Sequence, residues 1–284
     1  MNTLYISDLD GTLLGDDQRI GDESVRILNR LIDLGMPFSV ATARSYESAR
    51  ELLAGLNLKL PAIFINGVFT IDAKSGRTLE SRYMSNELGQ EIAALYLEAG
   101  LNPVVYTTDR EGKSRVYYRG VFNPSEEAYF GGRLKKERDR FRLIDDYSAC
   151  LTESLVAVNA IETPERLQAV YGALKERAGC VCHYGPDIYA PEYHWLEVSS
   201  DQATKRQGAL RLKERYGFER LVCFGDNLND LSMFEASDEC YAVANAHDAV
   251  KRAATGVIGS NEESGVAKFL AERFREHGGQ RDVE

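Results

Sequence analysis

The chain has 284 residues, of which 44% are hydrophobic and 27% charged, and its net charge is −10 at neutral pH. This acidity argues against a general nucleic-acid or anionic-membrane surface, although a local positive site for an anionic substrate is compatible with it. No apolar run approaches the ~20 residues that span a bilayer, no signal-peptide pattern is evident, and the five cysteines are scattered, so we expect a cytoplasmic protein.

The first 70 residues alternate between short apolar runs and helical patterns. Three runs are typical of buried strands: TLYIS (3–7), PFSVAT (37–42) and AIFIN (62–66). Apolar residues recur at helical spacing from Val25 to Leu34, and the segment 45–56 begins with a serine suited to cap a helix. This alternation predicts a parallel sheet with right-handed crossovers.

The middle of the chain has a different pattern. Residues 68–84 predict two strands around the turn AKSG, and residues 86–100 predict a helix. Two alternating strands around REGK, a strand at 154–162, a helix from Pro164 to about residue 178 and the run CVCHYG follow. Hairpins mixed with helices predict an α+β unit with an antiparallel sheet. Its aromatic residues either line a pocket or pack against one another: Tyr106, Tyr117, Tyr118, Tyr129 and Phe130.

The strand–helix alternation returns near Trp195. WLEVSS (195–200) predicts a strand, residues 205–217 a helix, and RLVCFGD (220–226) another buried strand. We therefore predict a doubly wound, Rossmann-like α/β parallel-sheet core formed by residues 1–84 and 190–284. The inserted α+β domain is predicted at residues 85–189.

Polar side chains gather where the predicted core strands end, which is where ligands bind in doubly wound sheets. The strands and the helix at 205–217 bring to this edge Asp8, Asp10, Thr42, Arg44, Asn66, Lys205, Asp226, Asn229 and Asp230. Clustered carboxylates repel one another unless a cation lies among them, and hard oxygen ligands favour Mg²⁺. A lysine and a hydroxyl beside that ion suit a phosphoryl group, which a carboxylate can attack.

The motifs DLDGTLL, ATARS, the isolated Lys205 and GDNLND resemble, in order, the four motifs of the haloacid dehalogenase superfamily of phosphatases. The insertion is similar to the superfamily's type IIB cap, and the C-terminal segment is similar to its Cof-type branch. The resemblance covers both core segments, whereas the inserted domain matches only in position and in its mixed α/β character.

The resemblance implies a role for each motif residue. Asp8 is implied to be the nucleophile and a Mg²⁺ ligand, and Asp10 the general acid/base that also ligates Mg²⁺ through its carbonyl. The implied phosphate-binding residues are Leu9, Thr42, Ala43, Lys205 and Asn229. Asp226 is implied to be the second side-chain Mg²⁺ ligand, and Asp230 to support the metal or to order Lys205.

Two positions depart from the family pattern. Ala43 replaces the usual glycine of the second motif, which matters if that position requires a positive φ. Arg206 replaces the usual glycine after the motif lysine, and we favour a solvated position for it over a role at the site mouth.

The sequence thus predicts an enzyme, a phosphoric monoester hydrolase that uses Mg²⁺ and an aspartyl-phosphate intermediate. Its expected partners are small phosphorylated metabolites, such as sugar phosphates or phosphorylated cofactors, and neither nucleic acid nor membrane. A phosphomutase of the same superfamily and a non-catalytic phosphometabolite-binding protein remain as alternatives. The substrate and the oligomeric state are not readable from the sequence.

Overall fold

A computed structural model describes residues 2–187 and 190–276. Its strands are β1 (Thr3–Ser7), β2 (Phe38–Val40), β3 (Ala62–Phe64), β4 (Phe69–Ile71), β5 (Thr78–Ser81), β6 (Val104–Thr108), β7 (Ser114–Tyr118), β8 (Phe141–Leu143), β9 (Ser154–Glu162), β10 (Cys180–Pro186), β11 (His194–Ser200), β12 (Arg220–Gly225), β13 (Glu239–Val243) and β14 (Gly256–Ile258). Its helices are α1 (Asp22–Asp33), α2 (Tyr46–Leu53), α3 (Asn86–Glu98), α4 (Pro124–Lys136), α5 (Pro164–Leu174), α6 (Lys205–Tyr216), α7 (Leu231–Phe234), α8 (Asp248–Ala253) and α9 (Gly265–Glu276).

The chain divides into two compact units. Unit 1 consists of residues 1–81 and 203–284, and unit 2 of residues 82–202. Unit 1 contains a five-stranded parallel sheet in the order β14-β13-β12-β1-β2. The inner strand β1 is almost wholly buried because helices cover both faces of such a sheet. The predicted α/β class, with its doubly wound, Rossmann-like core, is confirmed.

The segment predicted as the third strand of the parallel core belongs to a different sheet. Its residues form β3, which pairs antiparallel with β4 in a separate three-stranded sheet, β3-β4-β5. A single parallel bridge between Ala41 and Ile63 connects it to the end of β2. The hairpin around AKSG predicted for residues 68–84 is present as β4 and β5. Because β3 is paired mainly with β4, the parallel sheet ends at β2.

Unit 2 is built on a six-stranded sheet in the order β10-β11-β9-β6-β7-β8, in which only the β7–β8 pair is parallel. Helices α3 and α5 pack on one face, around Tyr96 and Leu167. Helix α4 packs on the other face, where Phe130 meets Val104 and Val116. Successive residues of a strand point to opposite faces, so the apolar residues of β6 serve both packed layers.

The structure assigns β11 to unit 2, whereas the sequence prediction assigned residues 190–202 to the core. Strand β11 pairs antiparallel with β10 along its whole length and with β9 on its other side. Its apolar run resembles a buried core strand because two neighbouring strands flank it, and a run of this kind carries no information about which sheet it joins. The boundary between the units therefore lies at residues 202 and 203 rather than at 189 and 190.

The buried carboxyl group of Glu126, on α4, should make the stability of unit 2 depend on pH. Glu126 is buried, its Oε2 accepts a hydrogen bond of 2.6 Å from the Phe122 N–H, and burial raises its pKa to about 7. The folded state binds the Glu126 proton more tightly than the unfolded state does, and this stabilisation is fully present below the ordinary glutamate pKa. It is lost as the pH rises through about 7, because the folded state must then bury a carboxylate. We expect Glu126→Gln to raise the free energy of unfolding at pH 8 by roughly 2 kcal/mol.

Chemical denaturation at pH 5 and pH 8 measures this effect. The gain from Glu126→Gln should shrink toward pH 5, where the wild-type carboxyl is protonated in the folded state. The neighbouring Glu127, which is exposed, provides the control variant Glu127→Gln, for which we expect little change. An equal gain at both pH values would show that burial does not govern the protonation of Glu126.

The described residues 2–187 and 190–276 contain no helix that is both long and apolar enough to cross a membrane.

Candidate active site

The turn after β1 places Asp8 at the carboxyl edge of the parallel sheet. The Asp8 N–H donates to the Phe224 carbonyl at 2.9 Å, which continues the β1–β12 ladder by one residue, and the side chain is 5% exposed. Leu9 is buried and its carbonyl accepts from the three N–H groups of residues 12 to 14, so the chain turns sharply. Gly11 has φ +71°, and a Cβ there would lie 2.5 Å from Asp226 Oδ2. The glycine of the DLDGT motif therefore lets the turn approach Asp226.

The loop after β12 supplies the second group of carboxylates. Asp226 Oδ1 accepts a 2.8 Å hydrogen bond from the Thr12 hydroxyl. Asp230 is fully buried, and its Oδ2 accepts from the N–H groups of Asp226 and Asn227, each at 3.0 Å. A Cβ at Gly225 would lie 2.6 Å from the Asp230 side chain, so only glycine permits this close return of the loop.

Lys205 joins the two groups. It is the first residue of α6, after Thr204, whose hydroxyl caps the helix by accepting from the Gln207 N–H at 3.1 Å. A positive charge at a helix N-terminus is unfavourable by itself. Here the Lys205 ammonium, 1% exposed, contacts Asp8 Oδ1 at 2.5 Å and Asp230 Oδ1 at 2.7 Å, and these carboxylates compensate for its position.

The protonation of this cluster follows from burial and from its charges. Burial disfavours the Lys205 ammonium, but Asp230 and Asp8 outweigh that effect and the pKa of Lys205 is raised. Burial, together with the nearby Asp230 and Asp226, outweighs the attraction of Lys205 and raises the pKa of Asp8 well above its usual range. Burial likewise raises the pKa of Asp226. The site thus holds more negative groups than its one ammonium can neutralise.

The carboxylate oxygens fit a divalent cation. One oxygen from each of Asp8, Asp226 and Asp230 lies within 4.8 Å of the others. All three are hard oxygen donors, which suit Mg²⁺ better than a metal that prefers nitrogen or sulfur ligands. Both Asp230 oxygens already accept hydrogen bonds, from Lys205 and from two backbone N–H groups, so this geometry favours the ordering role that the resemblance offered for Asp230.

The implied phosphate-binding residues lie around this cluster. Thr42 is buried at the end of β2, and its Oγ1 accepts from the Arg44 N–H at 3.0 Å. Ala43 is exposed and is not among the described residues with positive φ, so the replacement of glycine introduces no backbone strain. Asn229 donates from Nδ2 to Asn66 Oδ1 at 3.3 Å, while its buried Oδ1 has no hydrogen-bond partner.

Asp10 occupies a different environment from Asp8. Its side chain is 48% exposed and forms a forked ion pair with Arg44, whose Nε contacts Oδ2 at 2.8 Å and whose Nη2 contacts Oδ1 at 2.5 Å. Two carboxylates two residues apart thus have distinct partners, a buried ammonium and a partly buried guanidinium. The arrangement separates a candidate nucleophile from a candidate acid/base.

Three contacts of the site were not predicted. Arg44 and Asn66 were placed at the strand ends by sequence, but their pairing with Asp10 and Asn229 was not predicted, and Thr12 was read only as part of a motif. The signal for Arg44 was its predicted place at the end of the second strand, at the same sheet edge as Asp8 and Asp10. Arg206 pairs with Glu235 at 3.1 Å in an exposed position, in line with the solvated position we favoured for it.

A comparison of the sequence with known protein families agrees with the geometry of the site. The family model described as haloacid dehalogenase-like hydrolase matches residues 5–270. The chain belongs to the haloacid dehalogenase-like hydrolase family. The predicted membership and the predicted hydrolase class are therefore confirmed.

Relatives of this haloacid dehalogenase-like hydrolase are phosphatases. It is 28% identical over 280 residues to the 5-amino-6-(5-phospho-D-ribitylamino)uracil phosphatase YitU of Bacillus subtilis, covering 95% of this chain and 97% of the relative. It is 27% identical over 284 residues to the pyridoxal phosphate phosphatase YbhA of Escherichia coli, covering 95% and 98%. The predicted enzyme class, a phosphatase of the haloacid dehalogenase type, is thereby confirmed.

A solved structure shows the same fold. The subclass IIB sugar phosphatase BT4131 of this superfamily superposes with a TM-score of 0.71 at 18% identity, covering 96% of this chain and 99% of that chain. The Cof-type resemblance with an inserted domain of the IIB type is confirmed at the level of the fold.

Proposed function

We propose that this protein is a Mg²⁺-dependent phosphatase of small phosphorylated metabolites that works through a phosphorylated Asp8. The observation that carries the proposal is the buried cluster in which Lys205 contacts Asp8 and Asp230 while Asp226 lies within 4.8 Å of both carboxylates. A phosphate monoester needs a nucleophile, a positive partner for its oxygens and a proton donor for its leaving group. Asp8, Lys205 and Asp10 supply these in turn.

Asp8 and Asp226, with the Asp10 carbonyl, would hold the ion, as the family resemblance implies. A bound divalent cation would neutralise charge on the phosphoryl oxygens and would favour the ionised form of Asp8. Thr12 orients Asp226 by its 2.8 Å hydrogen bond, so its hydroxyl belongs to the support of the proposed metal site.

The reaction has two steps that share one acid/base. In the first, an Asp8 oxygen bonds to phosphorus, the ester P–O bond breaks, and Asp10 gives its proton to the leaving oxygen. In the second, Asp10 takes a proton from water, whose oxygen bonds to phosphorus as the bond to Asp8 breaks. Free phosphate leaves, and both side chains return to their starting protonation states.

The substrate class follows from the relatives and from the inserted domain. The uracil-derived and pyridoxal substrates named for the two relatives are small phosphorylated ring compounds. We propose a substrate of this size, a sugar phosphate or a phosphorylated cofactor, for this chain. Unit 2 is the proposed cap that selects the leaving group, and a cytoplasmic location with no membrane or nucleic-acid partner remains our prediction.

Arg44 is expected to position Asp10. Removing its guanidinium in Arg44→Met leaves the Asp10 carboxylate without its forked partner. We therefore expect kcat to fall by about tenfold to a hundredfold, which is less than the full rate enhancement that acid/base catalysis supplies. Arg44→Lys keeps the charge but not the fork, so it should recover only part of the rate. Steady-state kinetics with the best substrate measure both losses. Arg50→Met, which removes an exposed arginine of α2, is the control, and an equal loss there would contradict the assignment.

Phosphate release from a substrate panel tests the proposed function. The panel contains pyridoxal phosphate, 5-amino-6-(5-phospho-D-ribitylamino)uracil, hexose phosphates and nucleotides, each assayed with Mg²⁺ and with EDTA. Release that requires Mg²⁺ supports the proposal and ranks the leaving groups. Conversion to an isomeric phosphate without free phosphate would establish the mutase, and binding without turnover of any compound would establish the non-catalytic protein.

A further inference from the structure

Unit 2 contains a cavity of about 460 Å³, and none of the residues assigned above to the phosphoryl chemistry lines it. Helix α4 contributes Ser125, Tyr129 and Arg133 to its walls. Asp187, which directly follows β10, and Trp195, near the start of β11, contribute further parts of the walls. The volume lies within the range of small-molecule sites, which are largely apolar with a few fixed polar groups.

Asp187 is the fixed polar group of this cavity. Its side chain is largely buried, the residue being 8% exposed, and its Oδ2 accepts from the Ser125 hydroxyl at 2.5 Å and from the Trp195 indole N–H at 3.0 Å. A carboxylate can accept about four hydrogen bonds, so a donor from a ligand can add to these. Burying a carboxylate costs free energy, and hydrogen bonds such as these two offset that cost and help to hold the group at the wall of the cavity.

The aromatic walls are held in place as well. The rings of Tyr129 and Trp195 meet edge to face, with centroids 5.1 Å apart. The Tyr129 hydroxyl bonds to that of Tyr106 at 2.9 Å, and the Arg133 guanidinium lies 4.3 Å from the centre of the Tyr129 ring. Arg133 also donates to the Tyr129 carbonyl at 2.8 Å. These contacts fix the side chains before any ligand arrives, which reduces the entropy lost on binding.

We propose that this cavity binds a small planar heteroaromatic compound that carries an amino, hydroxyl or ring N–H donor. The ring packs against Tyr129 and Trp195, the donor bonds to Asp187, and the exposed Arg133 meets an electronegative ring substituent at the rim. A purely aliphatic polyol offers the donors but not the flat face, and a hydrocarbon ring offers the face but leaves Asp187 without a new partner.

Trp195 makes the site directly observable, because it is the only tryptophan in the chain. Pyridoxine, uridine and adenosine are titrated into the full-length protein while tryptophan emission is recorded, with ribitol as the non-aromatic control. N-acetyltryptophanamide corrects for absorption of light by the ring compounds. We expect a saturable emission change with at least one ring compound and none with ribitol.

The variants assign that change to the cavity. Asp187→Asn keeps the size and an acceptor but removes the charge, so we expect the Kd to rise about tenfold or more. Ser125→Ala, which removes one of the groups that hold Asp187, should weaken binding by a smaller factor and serves if Asp187→Asn fails to fold. Arg142→Gln changes an exposed arginine of unit 2 outside the lining and should leave the Kd unchanged.

The probes carry no phosphate, so this result does not depend on the proposed phosphatase reaction, and Asp8→Asn should bind them like the wild type. No saturable change with any ring compound at millimolar concentration would overturn the proposal. A Kd equal in the wild type, Asp187→Asn and Ser125→Ala would overturn it as well.

Discussion

Asp8→Asn should abolish phosphate release, lowering kcat by about 10⁴-fold or more, because the amide oxygen is a poor nucleophile toward phosphorus. The replacement keeps the shape of the side chain and an oxygen that can accept from the Lys205 ammonium, which Asp8 Oδ1 contacts at 2.5 Å. We therefore expect the folded structure to persist. Stopped assays of phosphate release with the best substrate of the panel measure the loss.

Asp16→Asn is the matched control, since it makes the same chemical change at an exposed aspartate of the same N-terminal loop region. It should retain the wild-type rate. Circular dichroism and thermal unfolding must show that Asp8→Asn is folded before its rate is interpreted. A folded Asp8→Asn protein that releases phosphate at more than a few per cent of the wild-type rate would exclude Asp8 as the nucleophile.

Lys205→Met should cost both stability and rate. Removing the ammonium leaves Asp8 and Asp230 buried without their common partner, and loss of one member of a buried ion pair typically costs about 3–5 kcal/mol. In EDTA we expect the free energy of unfolding to fall by about that amount. The rate should fall at least a hundredfold, since the phosphoryl oxygens lose a positive partner.

Added Mg²⁺ distinguishes this account from a simple packing defect. The ion would partly neutralise the negative charge that Lys205→Met leaves uncompensated on the buried carboxylates, so it should raise the thermal midpoint of the variant more than that of the wild type. Arg206→Met, one residue along the same helix, removes an exposed partner of Glu235 and should change stability by less than about 1 kcal/mol. Equal losses for the two variants, with no response to Mg²⁺, would contradict the role of Lys205.

Much of the fold follows from periodicity. The predicted segments TLYIS, PFSVAT and RLVCFGD contain β1, β2 and β12, and Ser45 caps α2 as predicted. Covered parallel strands are nearly continuous apolar runs, and this signal is local. The assignment of β3 and β11 to sheets is not local, because it depends on which strands they pair with. The run WLEVSS therefore predicted a strand correctly and its unit incorrectly.

The candidate site was predictable where two carboxylates stand close together in sequence. DLDGT and GDNLND mark Asp8, Asp10, Asp226 and Asp230 through spacing and family resemblance. The different partners of these four carboxylates depend on the folded geometry and cannot be derived from spacing. Asp230 is bound by Lys205 and two N–H groups, and Asp10 by Arg44. Tyr129, one of the aromatic residues for which pocket lining was an alternative, lines the cavity around Trp195. The rest of this cavity was not predicted, because its residues come from three separate segments whose proximity only the fold creates.

Reduction of the quenched enzyme tests the central claim most directly. The protein is mixed with its best substrate and Mg²⁺, quenched after a few milliseconds, treated with borohydride, which converts an aspartyl phosphate to homoserine, and digested for mass spectrometry. The account predicts homoserine at position 8, dependent on substrate and absent from Asp8→Asn. An enzyme that turns over under these conditions but yields homoserine at no position, or at another aspartate, would contradict it.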